Sequence, residues 1–285
     1  MSDFLANRRQ PFMSEAYFDK ATTDFLEISF PFHQQALTNR FWFIDGQKIS
    51  ETELGRVSGF HAVANDRIDL LHLRYTAGID IEELRADMDD VVADWERYAE
   101  ALRKFNKQPE LWAFDFSDRV QYNQAVQLVG ITILLKREDL LPRIANLCDA
   151  FKDDDAIYDE LLFPYLPNRP SPEKFFHADP YEIVIDAIDE EDPIEQADLI
   201  KEAVERWYPA NAGQPFHDTH KQIDDDGTGG YFGYWCFELA ALTVILGIDD
   251  SSFRNHVTYP KDLADHARPK PDAPTQEKPS AFKNS

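Results

Sequence analysis

The chain has 285 residues, more than the usual single domain, which leaves room for one large or two modest domains with a full core. Hydrophobic residues make up 43%, with 21 Phe, 11 Tyr and 5 Trp, and this excludes wholesale disorder. A formal charge of −24, from 29 Lys and Arg against 53 Asp and Glu, argues against nucleic acid or an anionic membrane as partner and favours a basic protein, although solubility alone also selects acidic surfaces.

The first ten residues, MSDFLANRRQ, lack the apolar stretch of a signal peptide. The longest apolar run, Tyr231 to Ile248, is broken by Glu238 and by glycines, so a cytoplasmic protein is expected. Helical periodicity predicts helices from Ser14 to about Phe30, from Pro31 to about Phe43, and from Glu51 to about Thr76, ending near Gly78. Asp80 then caps a helix whose Leu84, Met88, Val91, Val92, Trp95, Ala99 and Leu102 share one face, giving an antiparallel hairpin. On its flank Glu83, Asp87, Asp90 and Asp94 fall within about 60° of one another, which predicts an exposed acidic ridge. Ser117 caps a helix through Leu134, and another spans about Glu138 to Phe151. These elements close a first domain over residues 1–150.

The second half is the more acidic, with 12 basic and 28 acidic side chains against 17 and 25 in the first. Asp179-Pro180-Tyr181-Glu182 and Asp192-Pro193-Ile194-Glu195 each set a capping carboxylate, a first-turn proline and a glutamate in order, so two helices follow. Asp186, Asp189, Glu190 and Glu191 crowd the junction between them, where carboxylates oppose the dipole of the first helix. Partner contact is the reason proposed for them. A long loop from Trp207 to Gly230 leads to a helix predicted over Tyr231–Leu246, apolar on nearly all sides and closed by Gly247. This second domain spans 151–268, and the proline-rich tail 269–285 is expected to be disordered. The fold class is all-α, two domains of antiparallel helix hairpins. Cys148 and Cys236 lie in apolar helical contexts, so no disulfide is expected.

Catalytic chemistry finds little support. Glu238, between Phe237 and Leu239, needs hydrogen-bond partners if buried, but no nucleophile or base stands at a readable spacing, so a role in organising the domain is favoured. His217 and His220 with Asp218 and Asp224, Asp225 and Asp226 have the residue types of a metal site without its spacing. The acidic run is read instead as partner surface. Gly227 to Gly230 lacks the lysine of a phosphate cradle. The enzymatic alternative is a metal-dependent all-α nucleotide pyrophosphohydrolase, with the Glu83 to Asp94 carboxylates holding magnesium.

The stretch Gly229 to Leu263 carries Gly233-Tyr234-Trp235, Phe237-Glu238, Ala240-Ala241, Leu246-Gly247-Ile248-Asp249-Asp250-Ser251-Ser252 and Tyr259-Pro260 followed by Asp262-Leu263. It resembles the C-terminal signature of the PoNi family, immunity proteins that neutralise polymorphic nuclease effectors. Tyr181 to Tyr208 fits the same domain more loosely, and Phe216 stands where a tryptophan is expected. The first half is similar to the family's companion domain in length, charge and helical hairpin character. The resemblance implies a two-domain helical inhibitor of a basic DNase toxin delivered by a bacterial secretion system of the type VI kind, working without a cofactor. In it Glu238, Tyr234, Trp235, Asp249, Asp250 and Tyr259 are structural, and the acidic residues above meet the toxin. A homodimer is left open.

Overall fold

The computed structural model describes residues 3–39, 42–44, 47–49 and 53–269. Nearly all of the tail predicted to be disordered, from residue 270, and residues 40, 41, 51 and 52 of the predicted helix ends lie outside them. The architecture is all-α. In order come α1 (Asp3–Asn7), α2 (Glu15–Thr23), a π-helical turn (Asp24–Ser29) and α3 (Phe30–Asn39), then α4 (Glu53–Ala77), α5 (Ile81–Asn106), α6 (Arg119–Leu134) and α7 (Leu141–Cys148). The second half holds α8 (Ala156–Leu162), α9 (Ala178–Asp189), α10 (Pro193–Ala210), α11 (Phe237–Ile245) and α12 (Lys261–Ala267). One short antiparallel ribbon, Trp42–Ile44 against Gln47–Ile49, replaces the end of the helix predicted to reach Phe43. Trp42, Phe43, Ile44 and Ile49 are aromatic or β-branched, residue types that favour strand over helix.

Capping carboxylates set several boundaries. Asp80 accepts from the Glu82 amide at 2.9 Å, and Asp192 accepts from Ile194 at 2.8 Å, with Pro193 at the first helical position. At α6 the cap is Asp118 rather than Ser117: Asp118 takes the Val120 and Gln121 amides, while the Ser117 hydroxyl donates to Asp115. Asp179 has the extended backbone of a cap at the kink before Pro180, but its carboxylate turns to Arg206 at 2.6 Å.

α4 and α5 pack as the longest hairpin, α9 and α10 as a second, and α6 runs against α11. Buried side chains from both halves join in one continuous hydrophobic cluster, including Trp95, Phe114, Val129, Trp207 and Phe237. Gly130 is where α6 and α11 touch most closely: a Cβ there would lie 2.6 Å from the Glu238 amide nitrogen. Any larger residue would push the two helices apart.

The predicted helix over Tyr231–Leu246 is helical only from Phe237. Residues 229–236 form a strap of irregular backbone, with Tyr231, Tyr234, Trp235 and Cys236 buried. Gly233, at φ +117°, holds a conformation closed to helix, and a Cβ there would meet Thr76 Oγ1 at 2.1 Å. Buried amides and carbonyls outside regular structure need other partners. Gln10, 1% exposed, supplies four: its amide nitrogen donates to the Tyr234 and Val257 carbonyls, both at 2.7 Å, and its oxygen accepts from the Tyr234 amide at 3.0 Å and from the Tyr231 hydroxyl. The Tyr17 hydroxyl accepts from the Tyr231 amide at 2.8 Å, and Thr76 donates to the Phe232 carbonyl at 2.7 Å.

Gln10→Ala removes these bonds together and leaves several buried polar groups without partners, each worth roughly 1–3 kcal/mol. Urea denaturation should show a loss of at least about 3 kcal/mol. A loss below about 1 kcal/mol would mean that water replaces the amide.

Candidate functional site

The α9–α10 hairpin is amphipathic in a direct way. Ile183, Val184, Ala187, Ile200, Ala203, Val204 and Trp207 face the core, and Gln196 fastens the pair by donating to the Ala187 carbonyl at 2.8 Å. The other faces are acidic. Residues 178–210 carry eleven Asp and Glu against Lys201 and Arg206. Arg206 is tied to Asp179, Glu182 and Glu202. Asp186, Asp189, Glu191 and Asp192 are exposed and Glu190 is partly exposed, and among the described residues no ion pair reaches any of them. At the junction Ile194 projects among them, 73% exposed. Glu195, Asp198, Glu202 and Glu205, all exposed, continue as a stripe within about 80° along α10. Helical spacing could have shown that stripe, but sequence reasoning stopped at the junction. An apolar side chain ringed by uncompensated carboxylates suits a cationic partner, the isoleucine supplying a desolvated anchor.

Only part of the acidic ridge predicted on α5 faces solvent: Glu83 and Asp90 are exposed and Asp87 is partly exposed, but all four carboxylates have arginine neighbours. Asp94 is buried, paired with Arg67 at 2.6 Å and with Arg97. Asp87 pairs with Arg74, which also holds Glu83 at 3.1 Å, and Asp90 lies 3.7 Å from Arg67. The reason is the antiparallel register of the hairpin. Arg67 and Arg74 stand two turns apart on α4, as Asp94 and Asp87 do on α5, so Arg67 meets Asp94 and Asp90 while Arg74 meets Asp87 and Glu83. A single-helix projection placed these carboxylates off the apolar face, but it could not show that α4 buries Asp94 and brings an arginine to each of the others.

Of the loop carboxylates, Asp224, Asp225 and Asp226 are exposed, and Asp226 accepts from the Thr228 amide at 3.0 Å. His217 stacks on Tyr208 with ring centroids 4.2 Å apart, and His220 Nδ1 lies 2.7 Å from the Tyr234 hydroxyl, so the two histidines serve separate tyrosines. Among the described residues no three His, Cys, Asp or Glu side chains gather as a metal site. Asp249 closes a turn by accepting from Ser251, and buried Asp250 lies between Arg254 at 3.0 Å and Arg268 at 2.9 Å. Trp235 donates to Thr76 at 2.8 Å, and Tyr259 packs edge-on against Phe253.

Glu238 is fully buried in the first turn of α11. One carboxylate oxygen accepts from Tyr181 of α9 at 2.8 Å and from Trp207 Nε1 of α10 at 2.6 Å, and the other has no partner. Burial pushes the carboxyl up to about 7, against the pull of those bonds.

Two family models tile the chain: the N-terminal model of the PoNe immunity proteins matches residues 45–146 and the C-terminal model residues 153–263. The chain belongs to the PoNi family. Among solved structures, protein PA2201 from Pseudomonas aeruginosa is 22% identical and superposes with a TM-score of 0.71 over 92% of this chain and 90% of that one, a shared fold. No curated protein matches the chain. Among the described residues no helix is long and apolar enough to cross a membrane.

Within this PoNi fold, Glu238 binds three helices of the second half through a group that resists ionisation. Its carboxyl is raised from an ordinary 4.5 to about 7, so the native state keeps a proton that the unfolded chain releases. The stability this gives is full below about pH 4.5 and is lost as pH rises through about 7, an effect of roughly 3 kcal/mol. Glu238→Gln should therefore flatten the fall in melting temperature between pH 4.5 and 7.5. Asp155, raised to about 6, and Asp69, raised to about 7, keep a remainder of the slope. An unaltered slope would assign the whole effect to those two.

Proposed function

We propose that this PoNi protein neutralises a polymorphic DNase toxin by binding it stoichiometrically, without catalysing a reaction, and that the acidic α9–α10 hairpin is the main contact. The observation that carries the reading is the hairpin junction, where Asp186, Asp189, Glu190 and Glu191 are uncompensated around exposed Ile194. A DNase must hold a polyanion, so the rim of its active site is basic, and an acidic surface of this kind steers encounter and excludes DNA by occupying the same charge field. The Asp224 to Asp226 loop adds a second exposed acidic patch. The toxin is one delivered by a type VI secretion system, and the immunity protein acts in the cytoplasm of the cell that makes it. Residues 1–150 and 151–268 act as two domains within this role. The hydrolase alternative loses its support because Arg67 and Arg74 occupy the carboxylates that magnesium would need.

Titration calorimetry against the nuclease domain of the cognate toxin tests the reading. Asp189→Lys combined with Glu190→Lys should raise the Kd at least tenfold at physiological salt while leaving the melting temperature equal or higher, since both charges oppose the α9 dipole. Ile194→Asp should weaken binding further. Wild-type affinity in both variants would remove the hairpin from the interface.

A further inference from the structure

Beyond the hairpin junction, at the far end of α10, the surface opens into a pocket of about 240 Å³ between α4, α6 and the strap. Its rim is exposed at Pro215, Gly230 and Val120, and its floor is buried at Ile68, Asn123 and Trp207. The volume falls short of the roughly 300 Å³ at which drug-sized ligand sites begin, and suits one amino-acid side chain.

Two side chains of this pocket, Asp69 and Asn123, hold acceptors without partners, beside the amides of Gln124 and Gln127. Asp69, partly buried, has no hydrogen bond or ion pair among the described residues, and it is the one charged residue type in the lining. Asn123, 4% exposed, donates through Nδ2 to Asn211 at 2.8 Å, which leaves its Oδ1 buried without a partner. His72 Nε2 is likewise unpartnered, and burial lowers the imidazole to about 4, so it adds no positive charge. The indole N–H groups of Trp207 and Trp235 are already committed to Glu238 and Thr76. What the aromatic walls have left to offer is ring surface. Carboxylate and amide oxygens set among aromatic rings ask for a planar cation rich in donors. Guanidinium meets this with five N–H groups and a flat face that stacks on rings, whereas an ammonium is a compact and strongly hydrated point charge.

We infer that this pocket is a slot for the side chain of an arginine projecting from the bound nuclease. The inference rests on the reading of the chain as a nuclease-binding protein, and makes that contact specific: the hairpin attracts by charge, and the slot fixes the register by one side chain. Asp69 supports it energetically. Burial and the nearby Asp66 push its carboxyl up to about 7, an unfavourable state of the free protein that a seated cation relieves. The stripe Glu195, Asp198, Glu202 and Glu205 runs along α10 from the hairpin junction toward the Trp207 end, over a helical distance of about 15 Å.

The test uses the full chain and two ligands. First, N-acetylarginine methylamide and its uncharged isostere N-acetylcitrulline methylamide are titrated while the Trp207 and Trp235 indole N–H signals are followed by NMR. The arginine probe should shift both signals saturably with a millimolar Kd, the citrulline probe should bind at least tenfold more weakly, and Asp69→Asn should erase the difference. Second, binding of the cognate toxin's nuclease domain is measured for Asp69→Asn and for Val120→Trp, which closes the rim from an exposed position without touching the floor. Each should raise the Kd at least tenfold with the fold intact. Equal binding of the two probes, or nuclease affinity indifferent to both variants, overturns the slot while leaving the hairpin reading in place. Arginine-probe binding by a wild-type chain that binds no nuclease overturns the nuclease as occupant, and the proposed function with it.

Discussion

A stretch of chain that is buried yet neither helix nor strand must find partners for its amides and carbonyls in side chains, and residues 229–236 impose that requirement at the centre of this molecule. Gln10, Tyr17 and Thr76 answer it. Because those residues come from the N-terminal segment and from α4, satisfying the strap also fixes the first half against the second. Arg9 reinforces the clasp by pairing with Asp262 and donating to the Tyr75 carbonyl at 2.6 Å. The Glu238 hub and the pocket both lie against the strap, so their geometry depends on the same few bonds.

Charge is distributed by the same logic of compensation. In the first half, carboxylates of α5 meet arginines of its neighbours: Asp94 and Asp87 pair with Arg67 and Arg74 of α4, and Glu96 with Arg143 of α7 at 2.6 Å. At the α9–α10 junction the described residues include no such partner, and the carboxylates stay open to solvent around Ile194. Paired and unpaired carboxylates look alike in composition. Only the packing separates a net charge that holds the fold from one left over for another molecule.

Much of the fold was legible because local chemistry decides it. The caps at Asp80 and Asp192, the apolar stripe of α5 and the two helices after residue 178 depend on residues within a few positions of each other. What was missed depends on partners distant in sequence. The hydrophobicity of Tyr231 to Cys236 is as compatible with buried helix as with buried strap, and the deciding amide of Gln10 is more than two hundred residues away. The α5 ridge was misread for a related reason, since a single-helix projection cannot show that α4 buries Asp94 and brings arginines to its neighbours. Of the candidate site, the acidic junction was readable in sequence, whereas the open acceptors of Asp69 and Asn123 become visible only when four segments meet.

The Gln10 clasp also has a consequence in time. Its partners Tyr234 and Val257 lie 224 and 247 residues downstream. At about 5–20 residues per second of synthesis, a ribosome takes roughly 11–45 s to deliver Tyr234 after Gln10 has been made. Until then the glutamine has no bonding partner in the strap, and the nascent first half cannot reach its final state. A cell that makes such a protein as protection is therefore covered only after the last third of the chain has emerged, which favours keeping a standing stock over synthesis on demand.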